Sequence, residues 1–271
     1  SDLEYASNKK RKSLEKKKTE LLSTYTNIHD DCQLVLSYQQ FETKQKKAVS
    51  EYNSIQTLIQ TDTNKNLTIL LDHEFVDFNE ESLEWGMTSF GKIASQIAEV
   101  HPLVLTRMVV QNEYFTELTT EQLVGFLSGF CDVKVPDEYR AIVPNSNDYN
   151  VNMFMEQCKE MLDEYLDMEH EYNICTGFNY EDALQYDIID LTMEWCSCNN
   201  EEDCKFFLQK TLPEHQISVG DFNKALLKIV TISRELIMIC ENQNEIECLQ
   251  KLKNIEPLVL KYVATSQSLY V

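Results

Sequence analysis

Leu34, Tyr38, Phe41, Gln45, Ala48, Tyr52, Ile55 and Ile59 follow alternating steps of four and three. That is the spacing of a coiled-coil seam, sustained over roughly three and a half heptads. Leu14, Leu21 and Ile28 form a shorter heptad series before it. Between the two, Asn27-Ile28-His29-Asp30-Asp31 predicts a break, with Asp30 or Asp31 as N-cap of the longer helix. The polar run Asp62–Asn66 predicts a second break and a boundary, so residues 1–66 read as a helical stalk. Its seam needs a partner, supplied by a helix upstream or a second chain; the plainer reading is a coiled-coil dimer of this chain.

Beyond the boundary the pattern changes to that of a packed domain. Leu67–Phe78 predicts a helix with Leu67, Leu70, Leu71 and Phe75 inward. Leu83–Ile97 carries Gly86 and Gly91 with β-prone residues between them, which predicts a two-stranded wing turning near Ser89-Phe90-Gly91. Helices dominate from His101 onward. Pro102 suits a first turn, and Thr119 and Gln122 stand at capping-box spacing ahead of Leu123, Phe126, Leu127 and Phe130. Pro136, Pro144 and several Asn make 131–150 a loop, and two long helices are expected near 151–172 and 180–197. Ser218 and Asp221 then open a helix over Phe222–Cys240. Phe222, Leu226, Ile229, Leu236 and Cys240 form its apolar stripe, and Lys224, Lys228, Thr231 and Glu235 a polar one. Two lysines one turn apart on a packed helix can offer donors to a phosphate or base; a solvated bundle face is the bland alternative. The expected fold class is mainly α: a coiled-coil stalk, a small β wing and a helical bundle.

Composition sharpens this. Only 6 Gly and 5 Pro in 271 residues favour long helices over a turn-rich β fold. A net charge of −21 excludes simple electrostatic wrapping around nucleic acid by the chain as a whole. Positive charge is local, with seven Lys/Arg against three acids in residues 1–18. Nine irregularly spaced cysteines fit a reducing intracellular compartment, nucleus or cytoplasm. No apolar run approaches the ~18 residues of a membrane span, so no membrane partner is expected. The charged start without Met leads us to expect a piece of a longer protein.

The chain has no G-x-x-x-x-G-K-[ST] loop and no Asp-Glu-X-His motif, so no catalytic residue and no ATP hydrolysis are expected of it. Asp137-Glu138 and Asp163-Glu164 read as solvated acidic pairs. Cys196, Cys198, Cys204 and His215 fit zinc poorly, because C-x-C departs from the usual ligand spacing; buried thiols fit better, and no metal is expected. Trp85 and Trp195 read as core residues, with Trp195 as a base-stacking platform the lesser reading.

Several stretches carry a family resemblance. They are Ser89-Phe90-Gly91-Lys92-Ile93-Ala94, Leu118-Thr119-Thr120-Glu121-Gln122-Leu123 with its Leu127-Ser128-Gly129-Phe130 ending, Met193-Glu194-Trp195-Cys196, Gly220-Asp221-Phe222-Asn223-Lys224, and the terminal Ser268-Leu269-Tyr270-Val271. In order and spacing the set resembles the C-terminal region of exosome-associated, Ski-two-like DExH-box RNA helicases. The resemblance implies three parts: an arch-like stalk at 1–66, the end of a winged-helix domain at 67–100, and a helical bundle at 101–271. The helix after Ser218 would be the ratchet helix beneath the RNA path. It implies RNA as partner, contacted by Lys224, Lys228 and Asp132, and 3′-to-5′ unwinding powered by upstream RecA-like domains that bind ATP and Mg. Degradation or adaptor proteins would engage the stalk. Lys224 and Lys228 stand where the family tends to carry Arg, keeping the charge without the planar fork. The rival expectation is a stand-alone helical interaction or adaptor protein.

Overall fold

A computed structural model describes residues 8–261, which divide into two compact units between Thr63 and Asn64. The terminal Ser268–Val271 stretch of the resemblance lies outside the described residues. The first unit holds α1 (Asn8–Thr24) and most of α2 (Ile28–Asp72). The break falls at residues 25–27, so Asp30 and Asp31 are first-turn residues of α2 and not its cap. The Asn27 carbonyl accepts from the Asp31 amide at 3.0 Å, and two acids beside the free amides favour that end of the helix. Asp62–Asn66 does not interrupt α2. The run contains neither Gly nor Pro, and each of its residues costs only tenths of a kcal/mol relative to Ala, so the helix continues to the buried Ile69. The predicted seam is exposed: Leu34 is 70%, Phe41 65% and Tyr52 66% accessible.

In the second unit α2 ends at Asp72, short of the expected Phe78. Glu74 turns the chain at φ 62°, and the Phe75 amide reaches back to the Leu70 carbonyl at 2.8 Å. Strands β1 (Val76–Asn79) and β2 (Glu84–Met87) then pair antiparallel, Val76 opposite Met87 and Asn79 opposite Glu84. The hairpin therefore precedes Ser89-Phe90-Gly91, which belongs to helix α3 (Ser89–Ala94). Thr88 decides this: its hydroxyl donates to the Glu74 carbonyl at 2.6 Å and accepts from the Gly91 amide at 3.2 Å, starting a helix where a turn was expected. Gly91 is required by contact, since a Cβ there would collide with the Phe75 carbonyl oxygen. Trp85 is not a core residue; it sits half-exposed on β2, 5.0 Å from the Phe78 ring.

The bundle contains α4 (Pro102–Gln111), α5 (Thr120–Ser128), α6 (Tyr149–Tyr172), α7 (Ile189–Ser197), α8 (Glu201–Phe206), α9 (Leu212–Glu214), α10 (Val219–Gln243) and α11 (Ile246–Val259). A π-helical turn, Phe207–Thr211, joins α8 to α9. Helix α5 packs against α6, α7, α10 and α11. Its capping box is complete: Gln122 N–H donates to Thr119 Oγ1 at 3.2 Å and Thr119 N–H to Gln122 Oε1 at 2.9 Å. Leu123, Phe126 and Leu127 behind it are fully buried. The helix expected over 180–197 is only α7. Tertiary hydrogen bonds displace its first half: the Gln185 amide donates to the Gly129 carbonyl at 2.8 Å, and Asp182 and Asp187 bind the 140–141 loop. Trp195 is completely buried against Phe207 and Phe222, its Nε1–H donating to the Val259 carbonyl at 2.9 Å. That hydrogen-bonded core position leaves no face for a base to stack on. No described helix is long and apolar enough to cross a membrane.

Candidate nucleic-acid interface

Helix α10 positions the predicted residues. Ser218 caps it, accepting from the Asp221 amide at 3.0 Å. Its stripe is buried throughout, with Phe222, Leu226 and Ile229 fully inaccessible, and such burial stabilises by about 1.5–3 kcal/mol for each large side chain. The helix runs on to Gln243, where Asn244 at φ 62° ends it and α11 packs back against α10. With the apolar face fixed, the rotation of the polar face is fixed too.

The polar face does not act as one surface. Lys224 is exposed, and its Nζ lies 3.2 Å from Asp221 Oδ1. Ser218 first, and Lys224 after it, hold the Asp221 carboxyl below the usual range against a counteracting burial. Thr231 donates to the Leu227 carbonyl at 3.0 Å. Glu235 is a structural acceptor, receiving the Ala98 and Glu99 amides at 3.1 and 3.4 Å; partial burial pushes its carboxyl upward. Lys228 is half-buried and makes no hydrogen bond or ion pair among the described residues.

Lys228 and Asp132 come together. Cys131 is buried at the end of α5, and its thiol donates to the Ala225 carbonyl of α10 at 3.5 Å; burial pushes that thiol up to about 12. The contact carries Asp132 to the turn of α10 that bears Lys228. Both line one cleft of about 170 Å³, with Phe130 and Phe178 as aromatic wall and Glu99, His101 and Asp182 around them. Lys224 does not line it. Asp132 Oδ1 accepts from Gln185 Nε2 at 3.1 Å, and Asp182 is engaged by Arg140 at 2.9 Å and Asn179 at 2.8 Å. Lys228 is therefore the free cation among the described residues of the cleft.

The wall beside it is rigid. His101 Nδ1 caps α4 by accepting from the Val104 amide at 3.3 Å, and His101 Nε2 lies 3.4 Å from the Tyr180 hydroxyl. Tyr180 donates to Glu169 Oε1 at 2.7 Å. An imidazole that accepts at Nδ1 carries its proton on Nε2, so the relay needs neutral His101. Burial agrees, lowering His101 to about 4 against the upward pull of Glu169. Glu169 in turn is pushed up by burial, but hydrogen bonds from Thr176 and Tyr180 hold it below its ordinary value.

Sequence reading missed Glu99, His101, Phe178 and Asp182; they come from two segments, 99–101 and 178–182, that only the fold brings to Asp132 and Lys228. It also took Asp163-Glu164 as solvated, whereas Glu164 Oε2 is 2.6 Å from Arg107. Among the described residues no three His, Cys, Asp or Glu side chains converge as metal ligands. Cys196, Cys198 and Cys204 line no such site; Lys261 donates to the Cys196 and Cys198 carbonyls at 3.0 and 2.6 Å, and His215 is exposed elsewhere.

Compared with known proteins, residues 84–257 match the DSHCT (NUC185) domain. No curated protein matches the chain.

Proposed function

The chain belongs to the DSHCT (NUC185) family, a C-terminal domain of Ski-two-like helicases, and on that premise we propose that it grips single-stranded RNA beneath an ATP-driven motor. RecA-like domains upstream would bind ATP and Mg, and the bundle would close the RNA channel as the strand moves 3′ to 5′. The observation that carries this reading is the cleft beside α10, where unpaired Lys228 stands with Asp132 against two aromatic side chains. Lysine can hold a phosphate oxygen as a point charge without reading a base edge. Asp132 and Glu99 are acceptors for ribose hydroxyls or exocyclic amines, and they oppose a second phosphate.

That balance suits a motor better than a tight binder. A strand that must step cannot be held at every phosphate, and the net charge of −21 keeps affinity of the chain alone low and salt-sensitive. Lys224, paired on the rim with Asp221, would add only a screened contribution. Photocrosslinking of 4-thiouridine RNA to the parent helicase tests the assignment. The expected adducts fall on α10 near Lys228 and on residues 130–132; adducts confined to α11 or to the β1–β2 hairpin would refute it. The exposed seam of α2 supports an adaptor-binding role for the first unit within the same protein.

A further inference from the structure

The loop between α5 and α6 holds an unusual combination of rigidity and exposed apolar surface. The Ala141 amide donates to Asp187 Oδ1 at 2.7 Å, Arg140 Nη2 to Asp182 Oδ1 at 2.9 Å, and Asn147 to Asp190 at 3.1 and 2.6 Å through its amide and side chain. Three carboxylates thus fix the loop, yet it presents Ile142, 84% accessible, beside exposed Val143 and Tyr139. A chain that orders a loop while leaving its apolar tip in water has a preformed surface, with nothing among the described residues to cover it.

Two clefts of about 350 and 360 Å³ flank this tip, sharing Ala141 and Tyr186 as common lining. Tyr186 is only 7% accessible. Among the described residues the first cleft carries Asp187, Asp190, Glu194 and Glu214 and no Lys or Arg. The second unit as a whole has 14 Lys and Arg against 36 Asp and Glu. We propose that this surface docks a basic peptide segment of another protein, its apolar or aromatic anchor seated beside Ile142 and its Lys or Arg side chains on the four carboxylates. Charge complementarity selects that occupant. The same carboxylates repel RNA, and a second copy of this chain would bring like charge to like. The inference is independent of the RNA-gripping cleft, with which this surface shares no carboxylate except Asp182 of the second cleft.

Selection of a displayed library of short random peptides on the intact, immobilised chain tests it. Two variants serve as comparators: Ile142→Asp, at a side chain too exposed to matter for folding, and Glu194→Lys/Glu214→Lys. Thermal melts should show both folded like the parent. Enriched peptides are expected to be net basic with one large apolar residue, and to lose at least about tenfold in affinity on each variant. Enrichment of peptides without basic residues, no enrichment at all, or binding to either variant as tight as to the parent would overturn the proposal. So would an Ile142-dependent dimer in sedimentation, or binding of polyadenylate that Ile142→Asp removes.

Discussion

Helices α2 and α10 are both long and both carry an apolar stripe at helical spacing, but they use it in opposite ways. The α10 stripe is inaccessible at Phe222, Leu226 and Ile229, whereas the α2 seam leaves Leu34, Phe41 and Tyr52 about two-thirds exposed. Periodicity specifies which face is apolar; it does not specify what covers that face. In α10 the cover is the bundle itself, so the opposite face is placed exactly enough to put one lysine in a cleft and leave its neighbour on the rim. In α2 no described residue covers the face, and any cover comes from another segment or another protein.

The sharpest way to break this contrast is truncation. Phe222→Ala should destabilise the chain by about 3–5 kcal/mol, since a buried aromatic loses its transfer free energy and leaves a cavity. Phe41→Ala and Tyr52→Ala should each stay within about 0.5 kcal/mol, as exposed substitutions do. Urea unfolding curves check both. A seam variant that costs as much as Phe222→Ala would mean that α2 is covered within the chain.

Acid sharpens the rigidity of the cleft wall. His101 takes its proton near 4 in the folded chain and near 6.5 when unfolded. The unfolded state therefore binds more protons between these values, and stability present above pH 6.5 is lost as pH falls through that window. Up to roughly 3 kcal/mol is involved, and Glu169, with its lowered carboxyl, acts in the same direction lower down. Stability of His101→Phe measured from pH 7 to 4 should show a flatter slope than the parent; an unchanged slope would remove His101 from the account.

Gly91→Ala should cost about 1–3 kcal/mol, because overpacking against a backbone carbonyl has no flexible side chain to absorb it. Gly220→Ala is the comparison within α10, where a Cβ meets only Ser218 Oγ at 3.8 Å, and it should be neutral or slightly stabilising. Thermal melts of the two distinguish them.

Legibility in the sequence followed locality. The Thr119–Gln122 capping box, the Ser218 cap and the buried stripe of α10 were readable because each depends on residues within one or two turns. The β1–β2 hairpin was displaced and the helix over 180–197 shortened because Thr88 and Gln185 choose partners 14 and 56 residues away in sequence, Glu74 and Gly129. The candidate site was half legible. Lys224, Lys228 and Asp132 were marked by type and resemblance, but only folding separates the paired Lys224 from the free Lys228 and joins the latter to Glu99, His101 and Phe178.

The central claim is that Lys228 grips RNA while the motor turns, and the ratio of unwinding to ATP hydrolysis in the parent helicase tests it directly. Lys228→Ala should lower unwinding much more than hydrolysis, since a charged contact of about 1.5–3 kcal/mol to the strand is lost without touching nucleotide. Lys224→Ala should shift the ratio far less, its charge being already shared with Asp221 on the surface. Unwinding by Lys228→Ala that equals the parent at limiting RNA, or a loss identical for both lysines, would contradict the account.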